Sequence, residues 1–229
     1  MPDVPAAFSA VVRAAFAQRG GPRFVLVLSG GPTARACYER LAADSQRGDG
    51  DVIDWSRVDI LMGDERMVPA GDPDANQQLV REALLGGIGP VGSFTPMPTD
   101  GPPEECARRY DAVIRSVLDG PGMDLIHLGL GPDGHTASLF PGAPTLEAGP
   151  DRLVLATEDP NGRNPHPRLT LTLPAINATR AAVFTVAGES KVDAVAAVER
   201  GDDIPAVRVR AERVTWLVDG AARGRLPLD

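Results

Sequence analysis

Asp133 and His135 are separated by one glycine in the stretch GLGPDGHTASLFPG, which covers residues 129–142. Histidine takes up and releases a proton near neutral pH, and a nearby carboxylate can orient its ring or raise its basicity. The two residue types at this spacing therefore favour general acid–base catalysis, with His135 as the base and Asp133 as its partner. The structural alternative is an aspartate that shapes a turn and a histidine that caps a helix.

Three cationic side chains are candidates for holding an anion. Arg66 ends the segment GDER, and its planar guanidinium can bind a phosphate or carboxylate through two hydrogen bonds. Arg168 opens a threonine-rich segment, and Lys191 is the one lysine among the 23 basic residues. Lys191 falls in the first turn of a predicted helix, where a cation opposes the helix dipole, so a bound anion would explain it. The alternatives are local ion pairs around Arg66 and an ordinary surface position for Lys191.

The segment SGGPT at residues 29–33 follows an apolar run and precedes a helical pattern. Gly30 and Gly31 allow the backbone to approach a ligand closely, and the helix N-terminus at Thr33 offers free N–H groups. The segment therefore favours an anion site suited to phosphate. It matches neither the Walker pattern nor the dinucleotide fingerprint, so it does not support nucleotide binding. The alternative is a tight turn with Thr33 near a helix cap.

Apolar runs that predict strands alternate along the chain with apolar positions at helical spacing, and Asp74 is the predicted N-cap of one helix. Predicted helices cover residues 5–18, 34–43, 75–84, 102–118 and 190–199. Predicted strands cover residues 24–28, 58–62, 125–128, 153–156, 169–173, 182–186 and 214–218, and residues 159–167 are a predicted loop. The alternation predicts an α/β fold with a largely parallel sheet and helices on both faces.

Three of the informative segments each follow a predicted strand: residues 29–33, 63–66 and 129–135. The carboxyl ends of parallel strands lie at one edge of the sheet, and ligands of α/β proteins bind outside that edge. The sequence therefore predicts that these segments contribute to one site.

The composition limits the class of protein. The chain has 229 residues, which suits one α/β domain covering residues 1–229. Its formal net charge of −8 disfavours nucleic acid as a partner, because binding to a phosphate backbone needs clustered Lys and Arg. No apolar run approaches the ~20 residues of a membrane span, and the N-terminus does not resemble a signal peptide. We therefore expect a cytoplasmic protein that does not bind membranes.

Cysteine and histidine usage gives little support for a metal or a covalent centre. Cys37 and Cys106 form neither a disulfide framework nor a metal-ligand cluster, and Cys37 is a predicted core residue. No histidine pair has metal-ligand spacing, and no Gly-x-Ser-x-Gly nucleophile elbow occurs. His127, inside an apolar segment, is also a predicted core residue, whereas His166 is a predicted exposed one. We expect neither a metal nor a cofactor.

Five segments together resemble the 6-phosphogluconolactonase family. They are LSGGPT (28–33), GDERMVP (63–69) with DAN (74–76), DLIHLGLGPDGHTASLFPG (124–142), RLTLTLPAIN (168–177) and VAGESK (186–191). They follow the order of the family and span about residues 24 to 218, and the third segment is the most specific. The resemblance implies a Rossmann-like α/β fold, shared with glucosamine-6-phosphate deaminase, and a metal-independent hydrolase of the pentose phosphate pathway.

The resemblance further implies a phosphosugar lactone, 6-phospho-D-glucono-1,5-lactone, as the small-molecule partner. Its phosphate is expected against Gly30, Gly31 and Thr33, with Arg168 and Lys191 as counter-charges. Binding energy from this remote group would position the lactone carbonyl. The active protein is expected to be a monomer or a small homo-oligomer.

The same resemblance assigns the chemistry to residues around the lactone carbonyl. His135 is expected to activate the attacking water and to return the proton to the ring oxygen, with Asp133 orienting its ring. Arg66 is expected to stabilise the oxyanion or to hold sugar oxygens, and Asp64 to bind a hydroxyl group.

One difference from the related deaminase and one departure from the lactonase family accompany the resemblance. The related deaminase has a glutamate that assists the histidine where this chain has Phe140, which cannot relay a proton, so the sequence favours the lactonase. The family usually reads Ser-Gly-Gly-Ser-Thr-Pro in the first segment, where this chain has Pro32 and Ala34. Pro32 has no hydroxyl and no N–H, which shifts phosphate binding towards Gly31, Thr33 and the cations. Deaminase-type chemistry and a non-catalytic phosphosugar sensor are the alternative functions.

Overall fold

The computed structural model describes residues 3–47 and 52–224. Its α-helices are, in chain order, α1 (Val4–Ala17), α2 (Pro32–Arg47), α3 (Asn76–Ala83), α4 (Pro103–Leu118), α5 (Leu173–Asn177), α6 (Val192–Arg200) and α7 (Gly220–Arg223). Its β-strands are β1 (Phe24–Leu28), β2 (Val58–Met62), β3 (Asp64–Arg66), β4 (Ser93–Thr95), β5 (Leu125–Gly129), β6 (Val154–Thr157), β7 (Arg168–Leu171), β8 (Ala181–Val186) and β9 (Arg213–Val218).

Six strands form one parallel sheet in the order β4-β2-β1-β5-β8-β9, and helices flank it. β1 has the sequence FVLVL, and all of its residues are buried, as expected for a central strand that is covered on both faces. β8 is buried along its whole length for the same reason. The predicted α/β architecture with a largely parallel sheet is confirmed.

The direction in which the sheet grows reverses between β1 and β5. From β1 the chain adds β2 and β4 on one side, and after α4 it returns to place β5 against the other side of β1. A reversal of this kind opens a crevice at the carboxyl ends of the two neighbouring strands, where ligands of α/β proteins bind. The segments after β1 and β5, residues 29–33 and 129–135, both border this crevice.

A second, antiparallel sheet has the order β3-β7-β6. Residues 63–66 were expected only to follow the strand at 58–62, but Asp64 and Arg66 lie on a strand of their own, β3, where Asp64 pairs with Thr170 and Arg66 with Arg168. The segments 153–156 and 169–173 do form strands, yet in this small sheet rather than in the main one. β7 ends at Leu171 because Pro174 and a cap from Thr172 start α5.

The predicted N-cap at Asp74 is wrong. α3 begins at Asn76, and its free N–H groups are satisfied from β3 instead of from the preceding loop. Glu65 Oε1 accepts hydrogen bonds from the backbone N of Asn76 at 2.7 Å and of Arg66 at 2.8 Å, and Oε2 accepts from Gln77 N at 2.8 Å. This carboxylate therefore caps α3 and holds it against β3.

One hydrophobic cluster includes residues from α1 at one end of the chain to α7 at the other. In α1, Phe8, Val12 and Phe16 recur at intervals of four and are buried, which explains why this segment is an amphipathic helix. Cys37 and His127 are buried as well, so both predictions of a core position are confirmed. Cys37 and Cys106 are free thiols.

Candidate active site

A cavity of about 420 Å³ opens at the carboxyl ends of the parallel strands. Of the residues that the sequence assigned to a site, eight line this cavity: Gly30, Gly31, Thr33, Asp64, Arg66, His135, Arg168 and Lys191. The ninth, Asp133, is hydrogen-bonded to His135. The cavity is therefore shared by the segments after β1 and β5, the strands of the small sheet and the turn before α6.

Asp133 and His135 form a hydrogen-bonded pair. His135 Nδ1 donates to Asp133 Oδ1 at 2.6 Å, and the backbone N of His135 donates to the same oxygen at 3.1 Å. Burial disfavours the ionised form of Asp133, but the hydrogen bonds and charge of His135 outweigh it and lower the pKa of Asp133 to about 2. Because Nδ1 carries the proton that Asp133 accepts, Nε2 is the nitrogen that can act as a base.

Two glycines make this turn possible. A Cβ atom on Gly131 would lie 2.1 Å from His135 Nδ1 and 2.7 Å from Asp133 Oδ1, so the pair packs directly on the Gly131 backbone. Gly134 has a φ of +85°, a conformation that side chains other than glycine rarely adopt. Its carbonyl accepts a hydrogen bond from Ala206 N at 3.2 Å, which ties the turn to the segment after α6.

The anion segment at residues 29–33 has the geometry expected of a helix N-terminus. Gly31 has a φ of +103°, and its carbonyl accepts from Arg35 N at 3.0 Å as α2 begins at Pro32. The first turn of a helix leaves backbone N–H groups without partners, and Thr33 and Ala34 supply them at the cavity wall. Pro32 supplies none, as the sequence indicated.

Arg168 is a buried cation with few partners. It is 6% exposed, its Nη1 lies 3.9 Å from Asp64 Oδ2, and its Nε has no hydrogen-bond partner among residues 3–47 and 52–224. Burial lowers the pKa of Arg168, and the charge of Asp64 opposes that effect. A guanidinium at a cavity wall with unused donors is suited to binding an anion.

Asp64 and Arg66 occupy neighbouring positions around this cation. Asp64 is buried, and its Oδ2 accepts from Ser138 Oγ at 2.7 Å. Arg66 Nη1 donates to the carbonyl of Asp74 at 2.6 Å. This hydrogen bond joins the guanidinium, which lines the cavity, to the loop that follows β3. Asp74 also lies 3.2 Å from Nε2 of His166, so the histidine that was predicted to be simply exposed joins two loops beside the cavity.

Lys191 lies in a 3-10 turn, Glu189–Lys191, immediately before α6. The predicted helix therefore starts two residues later than expected, but the lysine still stands at its N-terminal end. The side chain is half-buried, and burial lowers the pKa of Lys191 whereas the charge of Asp133 raises it. The lysine thus lies within the electrostatic reach of the Asp133–His135 pair.

Two amide side chains that were not among the predicted site residues also line the cavity. Asn76 is buried, and its Nδ2 donates to the carbonyl of Asp64 at 3.0 Å. Asn164 belongs to the loop at 159–167, where Asp159 accepts hydrogen bonds from its Nδ2 at 2.8 Å and from its backbone N at 3.0 Å. The DAN motif pointed to Asn76, but only the fold brings Asn164 to the site.

The described residues contain neither a metal-ligand cluster nor a helix that could span a membrane. Within residues 3–47 and 52–224, no group of three or more His, Cys, Asp or Glu side chains is arranged to hold a metal ion. In the same part of the chain, no helix combines the length and the apolar character needed to cross a membrane.

Comparisons with known proteins give a consistent result. The family model described as glucosamine-6-phosphate isomerases/6-phosphogluconolactonase matches residues 2–216. A Synechocystis protein named 6-phosphogluconolactonase is 42% identical over 188 residues, covering 79% of this chain and 72% of the relative. The 6-phosphogluconolactonase of Mycobacterium tuberculosis is 37% identical, covering 94% of this chain and 90% of the relative.

Solved structures agree with these relatives. The crystal structure of 6-phosphogluconolactonase from Thermotoga maritima superposes with a TM-score of 0.81 at 29% identity, covering 95% of each chain. A monomeric glucosamine-6-phosphate deaminase has the same TM-score of 0.81 at 19% identity, which shows a shared fold alone. The chain belongs to the glucosamine-6-phosphate isomerase/6-phosphogluconolactonase family.

Proposed function

We propose that this protein hydrolyses 6-phospho-D-glucono-1,5-lactone to 6-phospho-D-gluconate in the oxidative pentose phosphate pathway. The observation that carries the proposal is the 2.6 Å hydrogen bond between His135 Nδ1 and Asp133 Oδ1, set in a cavity with a helix N-terminus and the buried guanidinium of Arg168. Relatives named 6-phosphogluconolactonase, at 33–42% identity, support the choice of substrate and reaction.

The phosphate binds at the segment after β1. Gly31 and Thr33 line the cavity at the start of α2 and offer the phosphate their backbone N–H groups, and Gly30 lets the backbone approach it closely. Arg168 and Lys191 balance its charge, since both are cations withdrawn from solvent at the cavity wall. Because this group does not react, its binding energy serves to position the lactone carbonyl.

His135 acts as the general base. Its Nε2 takes a proton from a water molecule, whose oxygen forms a bond to the lactone carbonyl carbon and gives a tetrahedral oxyanion. When the intermediate collapses, the bond from that carbon to the ring oxygen breaks, and the imidazolium returns the proton to the ring oxygen. Asp133 keeps the proton on Nδ1 and stabilises the transient positive charge.

Arg66 and Asp64 complete the site on β3. The Arg66 guanidinium stabilises the oxyanion or holds sugar oxygens, and the Asp64 carboxylate accepts a hydrogen bond from a sugar hydroxyl. Phe140, where the deaminase has a glutamate, packs on His135 and has no group that can carry a proton. This supports lactone hydrolysis over ring-opening deamination.

The cellular setting is part of the proposal. The protein works in the cytoplasm as a monomer or a small homo-oligomer, without a metal or other cofactor. Two free, buried thiols suit a reducing compartment, and the net charge of −8 disfavours binding to nucleic acid. Light scattering on the purified protein measures its assembly state.

A coupled assay tests the proposal. Glucose-6-phosphate dehydrogenase generates the lactone, and 6-phosphogluconate dehydrogenase reports the product, with and without this protein. We expect acceleration over spontaneous hydrolysis, and a kcat roughly 10²–10⁴-fold lower in His135→Ala, the usual contribution of a general base. Acceleration that survives in the variant would contradict the role of His135. No acceleration by the wild-type protein would contradict the proposed function itself.

A further inference from the structure

A buried chain of hydrogen bonds holds Ser29, the first residue of the anion segment. The Tyr38 hydroxyl accepts from Ser29 N at 3.0 Å and lies 2.9 Å from the carbonyl oxygen of the same residue. The same hydroxyl lies 2.8 Å from His127 Nδ1, and His127 Nε2 lies 2.7 Å from Thr185 Oγ1. Ser29 Oγ in turn donates to the His127 carbonyl at 2.7 Å.

The direction of the protons follows from the partners. A carbonyl oxygen only accepts, so the single Tyr38 hydroxyl proton goes to Ser29 O. His127 must then donate from Nδ1 to the tyrosine oxygen and accept at Nε2 from Thr185. Burial lowers the pKa of His127 to about 3, so the ring is neutral and has only one N–H, as this pattern of partners requires. Every polar atom of Ser29 is thereby satisfied.

This arrangement is polar where an α/β core is normally apolar. The four side chains come from different parts of the fold: the segment after β1, α2, β5 and β8, and all are buried. Burying so many polar groups costs free energy unless each is hydrogen-bonded. Apolar residues would fill the same space without that requirement. Ser29, His127 and Thr185 also border the cavity, so this chain of hydrogen bonds lies directly beneath the site.

The segment that it supports has little rigidity of its own. Gly30 and Gly31 follow Ser29, and glycine restricts the backbone least of all residues. Pro32 follows them and has no N–H to offer a ligand, so the segment depends on the N–H groups around the two glycines. A phosphate site on such a segment needs an external anchor to hold its N–H groups in place.

We propose that Tyr38, His127 and Thr185 are positioning residues for phosphate recognition, acting through the backbone of Ser29. The inference rests on the proposed function, because it takes a phosphosugar as the ligand of this segment. The three residues do not contact the reacting atoms. They raise the affinity for the phosphorylated substrate by fixing the anion segment before the substrate arrives.

The test compares two buried tyrosine hydroxyls. Tyr38→Phe removes the hydroxyl that connects Ser29 to His127. Tyr110→Phe is the matched control, since the Tyr110 hydroxyl is also buried and also joins two backbone groups, Met62 N at 2.8 Å and Thr95 O at 3.0 Å, on another part of the sheet. Each variant is measured for KM and kcat in the coupled assay, for the Kd of 6-phosphogluconate by calorimetry, and for its melting temperature.

For Tyr38→Phe we expect KM and the Kd of 6-phosphogluconate to rise about tenfold, with kcat changed by less than about threefold. For Tyr110→Phe we expect both constants within about twofold of wild type, although the melting temperature falls in both variants. The inference would be overturned if Tyr38→Phe had the same KM and the same Kd as Tyr110→Phe. It would also be overturned if Tyr38→Phe lost only kcat. A wild-type protein that neither binds 6-phosphogluconate nor hydrolyses the lactone would instead overturn the proposed function.

A second variant keeps the test informative if Tyr38→Phe does not fold. Thr185→Val has nearly the same shape and removes the donor to His127 Nε2, together with the hydrogen bond between the Thr185 hydroxyl and the Cys37 thiol. It acts one step further from Ser29, so we expect a smaller rise in KM, about threefold, again without a matching loss of kcat. An unchanged KM in a folded Thr185→Val protein would exclude His127 and Thr185 from the positioning chain.

Discussion

The ring of Phe140 packs against the imidazole of His135, with ring centroids 5.1 Å apart and planes inclined by 55°. The guanidinium carbon of Arg168 lies 5.7 Å from the centroid of the same phenyl ring. Phe140 is fully buried. One apolar side chain thus supports both the proposed base and the buried cation of the site.

Phe140→Ala is expected to impair stability and catalysis together. The cavity left by a buried phenyl ring lowers the free energy of unfolding by about 3–5 kcal/mol. The His135 ring also loses a contact that limits its rotation, so kcat should fall, whereas Phe140→Leu should lose less of both. Urea unfolding and the coupled assay measure the two effects. A Phe140→Ala protein with wild-type kcat would show that the ring does not position His135.

Gly131→Ala is expected to abolish the geometry of the Asp133–His135 pair without removing either residue. The new Cβ would lie 2.1 Å from His135 Nδ1, so the ring must move by an ångström or more. Misplacement of that size lowers kcat roughly 10²-fold. The control is Gly149→Ala, where a Cβ has no neighbour within 4 Å. If both alanine variants turn over at the wild-type rate, the close packing of the pair on Gly131 is not required.

The sequence predicted the residues of the site better than the way they are held. The anion segment and the Asp133–His135 turn follow β1 and β5, and parallel strands bring such segments to one edge by geometry alone. Arg66 and Arg168 reach the same cavity for another reason, the antiparallel pairing of β3 with β7. β3 is three residues long, which is too short for a periodic pattern to reveal.

Predictions from neighbouring residues also failed where a hydrogen-bond partner comes from an element that is distant in sequence. Asp74 has the residue type of an N-cap, but Glu65, eleven residues before Asn76, supplies the cap through the fold. Likewise, the apolar surroundings of His127 predicted a core residue correctly, and nothing in its segment indicated Tyr38 and Thr185 as its partners. Hydrogen bonds between elements that are distant in sequence leave no local pattern.

Glu65 should make the stability of the protein depend on pH. Burial raises its pKa to about 7 from an ordinary value of 4.5, although three backbone N–H groups oppose the shift. Between these pH values the folded state binds more protons than the unfolded state, so this carboxyl lowers the free energy of unfolding as the pH rises from 4.5 to about 7. Above about pH 7 its effect no longer changes with pH. The full change is on the order of 3 kcal/mol.

Glu65→Gln removes this titration while keeping one acceptor oxygen for α3. We measure the free energy of unfolding in urea as a function of pH. Between pH 4.5 and about 7 we expect the variant to lack the decrease that Glu65 contributes in the wild type. Glu82→Gln, on the exposed side of α3, is the control. The hydrogen bond from Arg35 lowers the pKa of Glu82, so its loss should leave the dependence between pH 4.5 and about 7 as in the wild type. The same pH profile in Glu65→Gln and in the wild type would contradict a raised pKa at this position.

Lys191→Ala distinguishes between the two anions that this lysine can serve. A cation on the phosphate contributes equally to the ground state and the transition state, so its loss raises KM, by roughly tenfold, and leaves kcat unchanged. A cation on the oxyanion would lower kcat instead. We expect the first result, which follows from the proposed role of Lys191 as a counter-charge of the phosphate in the cavity that it shares with the anion segment. Arg200→Ala, which removes an exposed charge from α6, should change neither constant. A fall in kcat at constant KM would assign Lys191 to the oxyanion, in line with the effect of the Asp133 charge on its pKa.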